Sequence, residues 1–273
     1  MSDPIRPLRS QIIAVANQKG GVGKTTTAIN LAATLAERGA RVLLVDLDPQ
    51  GNASTGLGVP PRDRRKTTYD LLFEQADLSE VIRPTRVEGV ALCPANADLS
   101  SADMELVNNE KRSYLLHDAL RQPEMDRLDH DFILIDCPPS LSLLTVNALV
   151  AADSLLVPLQ TEFFALEGLS QLMLTLREVR QTANPRLRIE GVLLTMFDSR
   201  NRLSQQVEAE ARETLGDIVF STVVPRNIRL SEAPSHALPV TQYDSASRGA
   251  EAYRRLATEL LQRHPLRERQ EQP

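Results

Sequence analysis

Residues Asn17–Thr27 read NQKGGVGKTTT, with Gly20, Gly21 and Gly23 set between Lys19 and Lys24 and followed by Thr25 and Thr26. Glycines at this density let backbone N–H groups close on phosphate oxygens, and a helix N-terminus behind them adds partial positive charge. In such a loop Lys24 reaches the β- and γ-phosphates, and the Thr25 hydroxyl ligates Mg²⁺. Gly23-Lys24-Thr25 completes the end of the pattern GxxxxGK(S/T), but Gln18 stands where the first glycine belongs. A glycine-rich turn without a ligand is the competing reading. The strand-like run before the loop and the helical pattern after it favour phosphate binding. One lysine is enough for that task. From the loop alone, Lys19 is either a solvated lysine or a second charge aimed at the nucleotide.

Mg²⁺ and water need carboxylates. VLLVDLDPQGN closes an apolar run with Asp46 and Asp48, and FILIDCPPS closes another with Asp136. In an extended chain, residues two apart point the same way. The ends of parallel strands are where open α/β sheets bind ligands. An apolar strand ending in Asp is the form that positions an acid to hold Mg²⁺, often through water. Any one of these residues could equally be a turn former or a helix cap; three of them beside a phosphate loop point to function. GTP-binding loops of this kind are accompanied by NKxD, which is absent here, so ATP is the expected nucleotide.

The elements that must carry these groups are legible in the apolar pattern. Strand runs are expected at 11–16, 41–47, 90–93, 132–136, 154–159, 189–195 and 218–224. Helices are expected from Thr25 to a stop at Gly39, and near 68–75, 98–108, 112–121, 141–151, 165–182, 202–215 and 246–263. Strand alternating with helix predicts an α/β fold: a mostly parallel twisted sheet with helices on both faces, of the P-loop NTPase type. No repeat or linker divides the chain. It reads as a mobile arm at 1–10, one ATPase domain over 11–263 and a polar tail over 264–273.

Composition agrees with that fold. The chain has 273 residues, 42% of them hydrophobic and only 4% aromatic, so the core must be Leu, Val, Ile and Ala, as in buried parallel strands. The net charge of -5 argues against a uniformly basic surface but permits local arginine clusters. Cys93 and Cys137 lack metal or disulfide spacing. With no signal-peptide pattern, a reducing cytoplasm is expected. Apolar runs fall well short of the roughly 20 residues of a membrane helix.

The blocks together resemble one family. KGGVGKTT resembles the deviant Walker A motif of the ParA/MinD group of ATPases, with Lys19 at the position of the "signature" lysine. DLDPQGN, IDCPPS, EFFALEGL, VVPRNIRLSEAPS and PVTQYDSASRGAEAY resemble further blocks of the ParA/Soj chromosome-partitioning ATPases, over about residues 10–262. The resemblance implies that Lys19 reaches the nucleotide of a partner subunit in an ATP-dependent sandwich homodimer. It also implies that Lys24 binds phosphate, Thr25 holds Mg²⁺ and Asp48 positions the attacking water. Asp46 supports the metal site, and Asp136 is the Walker B acid. Gly20, Gly21, Val22, Gly23 and Thr26 would line the phosphates, and Pro225 and Asn227 would lie near the adenine.

Members of this group act on DNA, membranes or iron–sulfur clusters. A basic amphipathic terminal helix would mark a membrane protein, and PLRERQEQP has no apolar face, so no membrane partner is expected. Cys93 and Cys137 read as packing thiols rather than cluster ligands. Arg200 and Arg202 in DSRNRL, with Arg226 and Arg229 in PRNIRL, match places where ParA-like proteins bind double-stranded DNA without sequence preference, although such clusters often simply face water. The resemblance therefore implies a cytoplasmic, nucleoid-associated segregation ATPase stimulated by a ParB-like centromere-binding protein. The alternative is a MinD-like positioning switch on a membrane or polar protein scaffold.

Overall fold

The computed structural model describes residues 10–74, 76–107, 109, 111–122, 128–163 and 165–266. Eight strands form one sheet: β1 (Gln11–Val15), β2 (Val42–Asp46), β3 (Arg83–Pro84), β4 (Val90–Cys93), β5 (Phe132–Asp136), β6 (Ser154–Gln160), β7 (Arg188–Phe197) and β8 (Val219–Pro225). Their order is β3-β4-β2-β5-β1-β6-β7-β8, and every pairing is parallel except β3 with β4. The seven longer strands fall on the expected runs. The two-residue β3 was not foreseen, because Arg-Pro carries no apolar signal; the turn through Gly89, in the left-handed region at φ 79°, folds it back on β4.

The strands are buried on both faces, so alternate residues feed two cores. Ile12, Ala14, Leu43, Val45, Ile133 and Ile135 point into one, whereas Ile13, Val15, Leu44 and Leu134 point into the other. The helices are α1 (Lys24–Ala36), α2 (Asn52–Gly56), α3 (Thr68–Phe73), α4 (Leu78–Val81), α5 (Ala102–Val107), α6 (Leu115–Leu120), α7 (Leu143–Ala151), α8 (Ala165–Thr182), α9 (Arg202–Leu215), α10 (Ile228–Glu232), α11 (Val240–Tyr243) and α12 (Arg248–Arg263). Leu31 and Leu35 of α1 share the second core with Tyr253, Leu256 and Leu260 of α12. Leu106, Leu116, Leu144 and Leu172, from α5 to α8, cover the first. Gly39 ends α1 as expected, at φ 86°, and Ser247 caps α12 by accepting from the Ala250 N–H at 3.2 Å. Among the described residues no helix is long and apolar enough to cross a membrane.

Both ends of the domain are tied to the N-terminal edge of the sheet. Ser10, grouped with the arm in the sequence reading, is buried and donates to His130 O at 2.6 Å; residues 1–9 lie outside the described residues. His264, the first residue of the expected tail, meets Glu190 at 3.0 Å, and 267–273 lie outside the described residues. Glu190 occupies a bulge: Ile189 pairs with Leu155 and Gly191 with Leu156, leaving Glu190 as the extra residue. Burial pushes its carboxyl up, but hydrogen bonds from His264 and Ser154 outweigh this and hold it below the ordinary value.

Gly191 makes that bulge tight. A Cβ there would stand 2.4 Å from the Phe220 ring. Gly191→Ala is expected to lower stability by about 1–3 kcal/mol, the cost of overpacking a filled core, as read from the urea midpoint.

Candidate functional site

The loop between β1 and α1 is fixed at several points. Asn17 is buried; its amide donates to Pro158 O at 2.8 Å, and its Oδ1 accepts from the Lys19 N–H at 3.1 Å. The Gln18 amide reaches Gly168 O at 3.3 Å. The Thr195 hydroxyl donates to Val22 O at 2.9 Å, tying the loop to β7. Gly21 and Gly23 lie in the left-handed region at φ 75° and 89°, which is why these positions need glycine. Gly23 is the N-cap of α1, so the backbone N–H groups of Lys24, Thr25 and Thr26 open the helix.

The two lysines lie differently. Lys24 is 6% exposed and donates to Lys19 O at 2.8 Å across the loop. Burial lowers its pKa, opposed mainly by the charge of Asp136. Lys19 is surface-exposed and its ammonium pairs with Glu162, just beyond the end of β6.

Strand register assembles the carboxylates. Asp136 pairs with Val15 on one side and with Asp46 on the other, so both acids lie at one level beside the loop. Burial and the charge of Asp46 push the Asp136 carboxyl well above the ordinary range, against the pull of the Thr25 hydroxyl and Lys24. Neither of its buried oxygens has a hydrogen-bond partner among the described residues. Such an orphaned carboxylate next to Thr25 fits a hard cation. Among the described residues no cluster of three or more His, Cys, Asp or Glu side chains could hold a metal ion alone. That is the ordinary case for Mg²⁺, which takes one or two protein oxygens together with substrate phosphates and water.

Asp46, beside Asp136 in the sheet, is held by hydrogen bonds from the segment that follows β2. Its Oδ2 accepts from Ser54 N at 2.8 Å and Ser54 Oγ at 2.6 Å, and its Oδ1 accepts from Asp48 N at 3.2 Å. Burial pushes its carboxyl up to about 6 despite these bonds. Asp46 therefore anchors the segment that carries Asp48. Asp48 itself is 7% exposed, and its Oδ1 accepts from Gln50 N at 3.0 Å.

A cavity of about 490 Å³ opens behind the loop, lined by Gly23, Thr26, Met196, Pro225, Asn227 and Tyr253 among others. This volume suits a nucleobase and sugar. Pro225 and Asn227 thus line a site contiguous with the phosphate loop. Asn227 also caps α10, accepting from Arg229 N at 2.8 Å. Met196, Tyr253, Ser54 and Glu162 were not singled out from the sequence. Only Glu162, a carboxylate following a strand, carried a local signal.

The four arginines follow the C-terminal ends of β7 and β8, where Phe197 pairs with Pro225 and accepts from Arg226 N at 2.9 Å. All four are exposed. Arg200 pairs with Asp198 at 3.1 Å, and Arg229 with Glu232 at 2.8 Å and Asp244 at 3.1 Å. Cys93 and Cys137 are buried free thiols, and burial pushes both pKa values up.

A family model described as an AAA domain matches residues 10–189. The chromosome partitioning protein ParA of Caulobacter vibrioides is 54% identical over 257 residues, covering 94% of this chain and 95% of that one. The sporulation initiation inhibitor protein Soj of Bacillus subtilis is 53% identical, covering 92% and 98%. Among solved structures, a protein from Mycobacterium smegmatis described as cobyrinic acid a,c-diamide synthase, with bound ADP and magnesium, superposes with a TM-score of 0.79 at 38% identity, covering 93% and 94%. With more than half of the residues identical over more than nine-tenths of the chain, the chain belongs to the ParA/Soj family of P-loop partitioning ATPases.

Proposed function

We propose that this chain hydrolyses ATP with Mg²⁺ as part of a cycle that segregates chromosomes or plasmids. ATP closes two copies into a sandwich dimer, the dimer binds double-stranded DNA without sequence preference, and a ParB-like partner triggers hydrolysis and release. The observation that carries this reading is the pair of lysines. Lys24 is buried inside the loop, while Lys19 lies at its surface with its ammonium outside the phosphate cradle. A charge so placed is of little use to its own nucleotide, and it is available to one held by a facing copy. Relatives named for chromosome partitioning support the same reading.

In this scheme the helix-opening N–H groups and Lys24 bind the phosphates. Thr25 and Asp136 are the residues that would hold Mg²⁺, which when bound offsets phosphate charge. Asp48 orients the attacking water. Lys19, once it leaves Glu162, stabilises charge on the transferring group in the manner of an arginine finger. Hydrolysis is slow in the single chain because the site is completed in trans.

Three measurements test the scheme. Lys24→Ala is expected to weaken ATP binding by about tenfold or more, the loss of a charge-assisted contact. Lys19→Ala should keep ATP binding but lose ATP-dependent dimerisation in light scattering; a dimer of normal stability would remove the trans role. Asp48→Ala should still bind ATP while hydrolysing it about 10²-fold more slowly or worse, and a normal rate would show that Asp48 does not position the water.

For DNA, retention on a non-specific duplex is compared with ATP, with ADP and without nucleotide. The expected result is binding with ATP only, weakened by salt and lost in Arg200→Ala/Arg229→Ala. No binding in any nucleotide state would move the function to the positioning switch on a protein or membrane scaffold.

A further inference from the structure

The segment carrying Asp48 is held from a direction that no motif announces. Arg64, eight residues after α2, is only 8% exposed. Its Nε donates to Val59 O at 3.0 Å and its Nη1 to Ala95 O at 2.9 Å. Its Nη2 donates to Gly51 O at 3.1 Å and to Thr55 Oγ1 at 2.7 Å. All four acceptors are neutral. Burial lowers the guanidinium pKa, and the charge of Asp46 opposes this. A charge that gives up this much water for neutral oxygens implies a positional task.

The geometry fits that task. Gly51 lies in the left-handed region at φ 61°, and a Cβ there would come within 2.1 Å of Arg64 Nη1. The Gly51 peptide is gripped on two sides. Its own N–H donates to Asp48 O at 2.8 Å, and its carbonyl accepts from Arg64. Asp46 fixes the same segment through Asp48 N and Ser54. The turn over 61–63, entered through Pro60 and Pro61, brings Arg64 to this point. Ala95 O then ties the guanidinium to the chain just past β4.

We infer that Arg64 is a positioning residue for hydrolysis. Through Gly51 and Thr55 it holds the Asp48 segment in the geometry that orients the attacking water. This rests on the role proposed above for Asp48. Arg64 lines neither the phosphate loop nor the nucleoside cavity, so its loss acts on turnover rather than on nucleotide affinity.

The test separates kcat from binding. Arg64→Met keeps the side-chain bulk and removes the donors. Thr55→Val removes, at nearly constant volume, one acceptor of Arg64 together with the hydroxyl's own bond to Gly51 O at 3.1 Å, and remains available if Arg64→Met fails to fold. Binding of a fluorescent ATP analogue gives the affinity and the concentration of competent sites, and kcat is taken per competent site. Arg64→Met is expected to lower kcat about tenfold or more and Thr55→Val about threefold, with affinity unchanged within about twofold. The double variant should be slower than Arg64→Met by less than the threefold of Thr55→Val alone, because the contact between the two residues is already lost in Arg64→Met. Normal kcat per site in Thr55→Val and Arg64→Met, or equal losses in kcat and affinity, would overturn the proposal. Asp48→Ala run in parallel distinguishes the failures. If Asp48→Ala is slow while both Arg64→Met and Thr55→Val are normal, the Arg64 proposal fails alone. If Asp48→Ala is normal, the water-positioning role fails and the Arg64 proposal fails with it.

Discussion

The site depends on the in-register parallel pairing of β1, β5 and β2. That register places Val15, Asp136 and Asp46 side by side at the C-terminal edge of the sheet. Neighbouring strands stand about 4.8 Å apart, so two carboxyl groups meet in a place from which water is excluded. Neither can be charged there without help. Asp46 obtains it from the Ser54 hydroxyl and from backbone N–H groups, and thereby orders the segment after β2. Among the described residues, the Thr25 hydroxyl and Lys24 favour the charge of Asp136. The two acids are alike in sequence context and different in surroundings: Asp46 is satisfied by protein groups, whereas Asp136 fits the cation-holding role proposed for it.

Much of this was legible in the chain. Strands buried on both faces announce themselves as continuous apolar runs, and the expected runs ended within two residues of the observed strand ends. Helix ends were less exact. The expected helix at 98–108 opens with a tight 3₁₀ segment over Ala97–Ser101 before α5, and the one at 112–121 narrows to Leu115–Leu120. The loop residues could be assigned from spacing because a phosphate cradle is local in sequence. Ser54, Arg64, Met196 and Tyr253 could not, since each reaches the site from a separate element and has an ordinary local context; Glu162 carried only the signal of a carboxylate after a strand. Arg64 stands in the basic run PPRDRRK, beside Arg62, Arg65 and Lys66, and nothing in that run sets it apart. Only the packing reveals that it is buried against carbonyl groups.

The pair formed by Lys19 and Glu162 lies at the other extreme. Their side chains are 44% and 32% exposed. Ion pairs in that setting contribute little, about 0–1 kcal/mol, and are screened by salt. Lys19 is therefore held by a contact that is easily exchanged, which suits the change of partner proposed for it. The groups that must not move, Asn17, Lys24 and Asp46, are buried and bonded to backbone. Solvent exposure separates the buried, backbone-bonded groups from the exposed ion pair.

The anchoring of Ser10 and His264 has a practical consequence. Both sit where the strands begin, whereas the phosphate loop, the carboxylates and the arginine loops lie where the strands end. Five residues of strand separate the two edges, about 17 Å at 3.3–3.4 Å per residue. A fluorescent protein or a surface tether attached at either point would leave from the far side of the molecule. The nucleotide face would stay open, so the protein could be tracked or immobilised while its working edge is free.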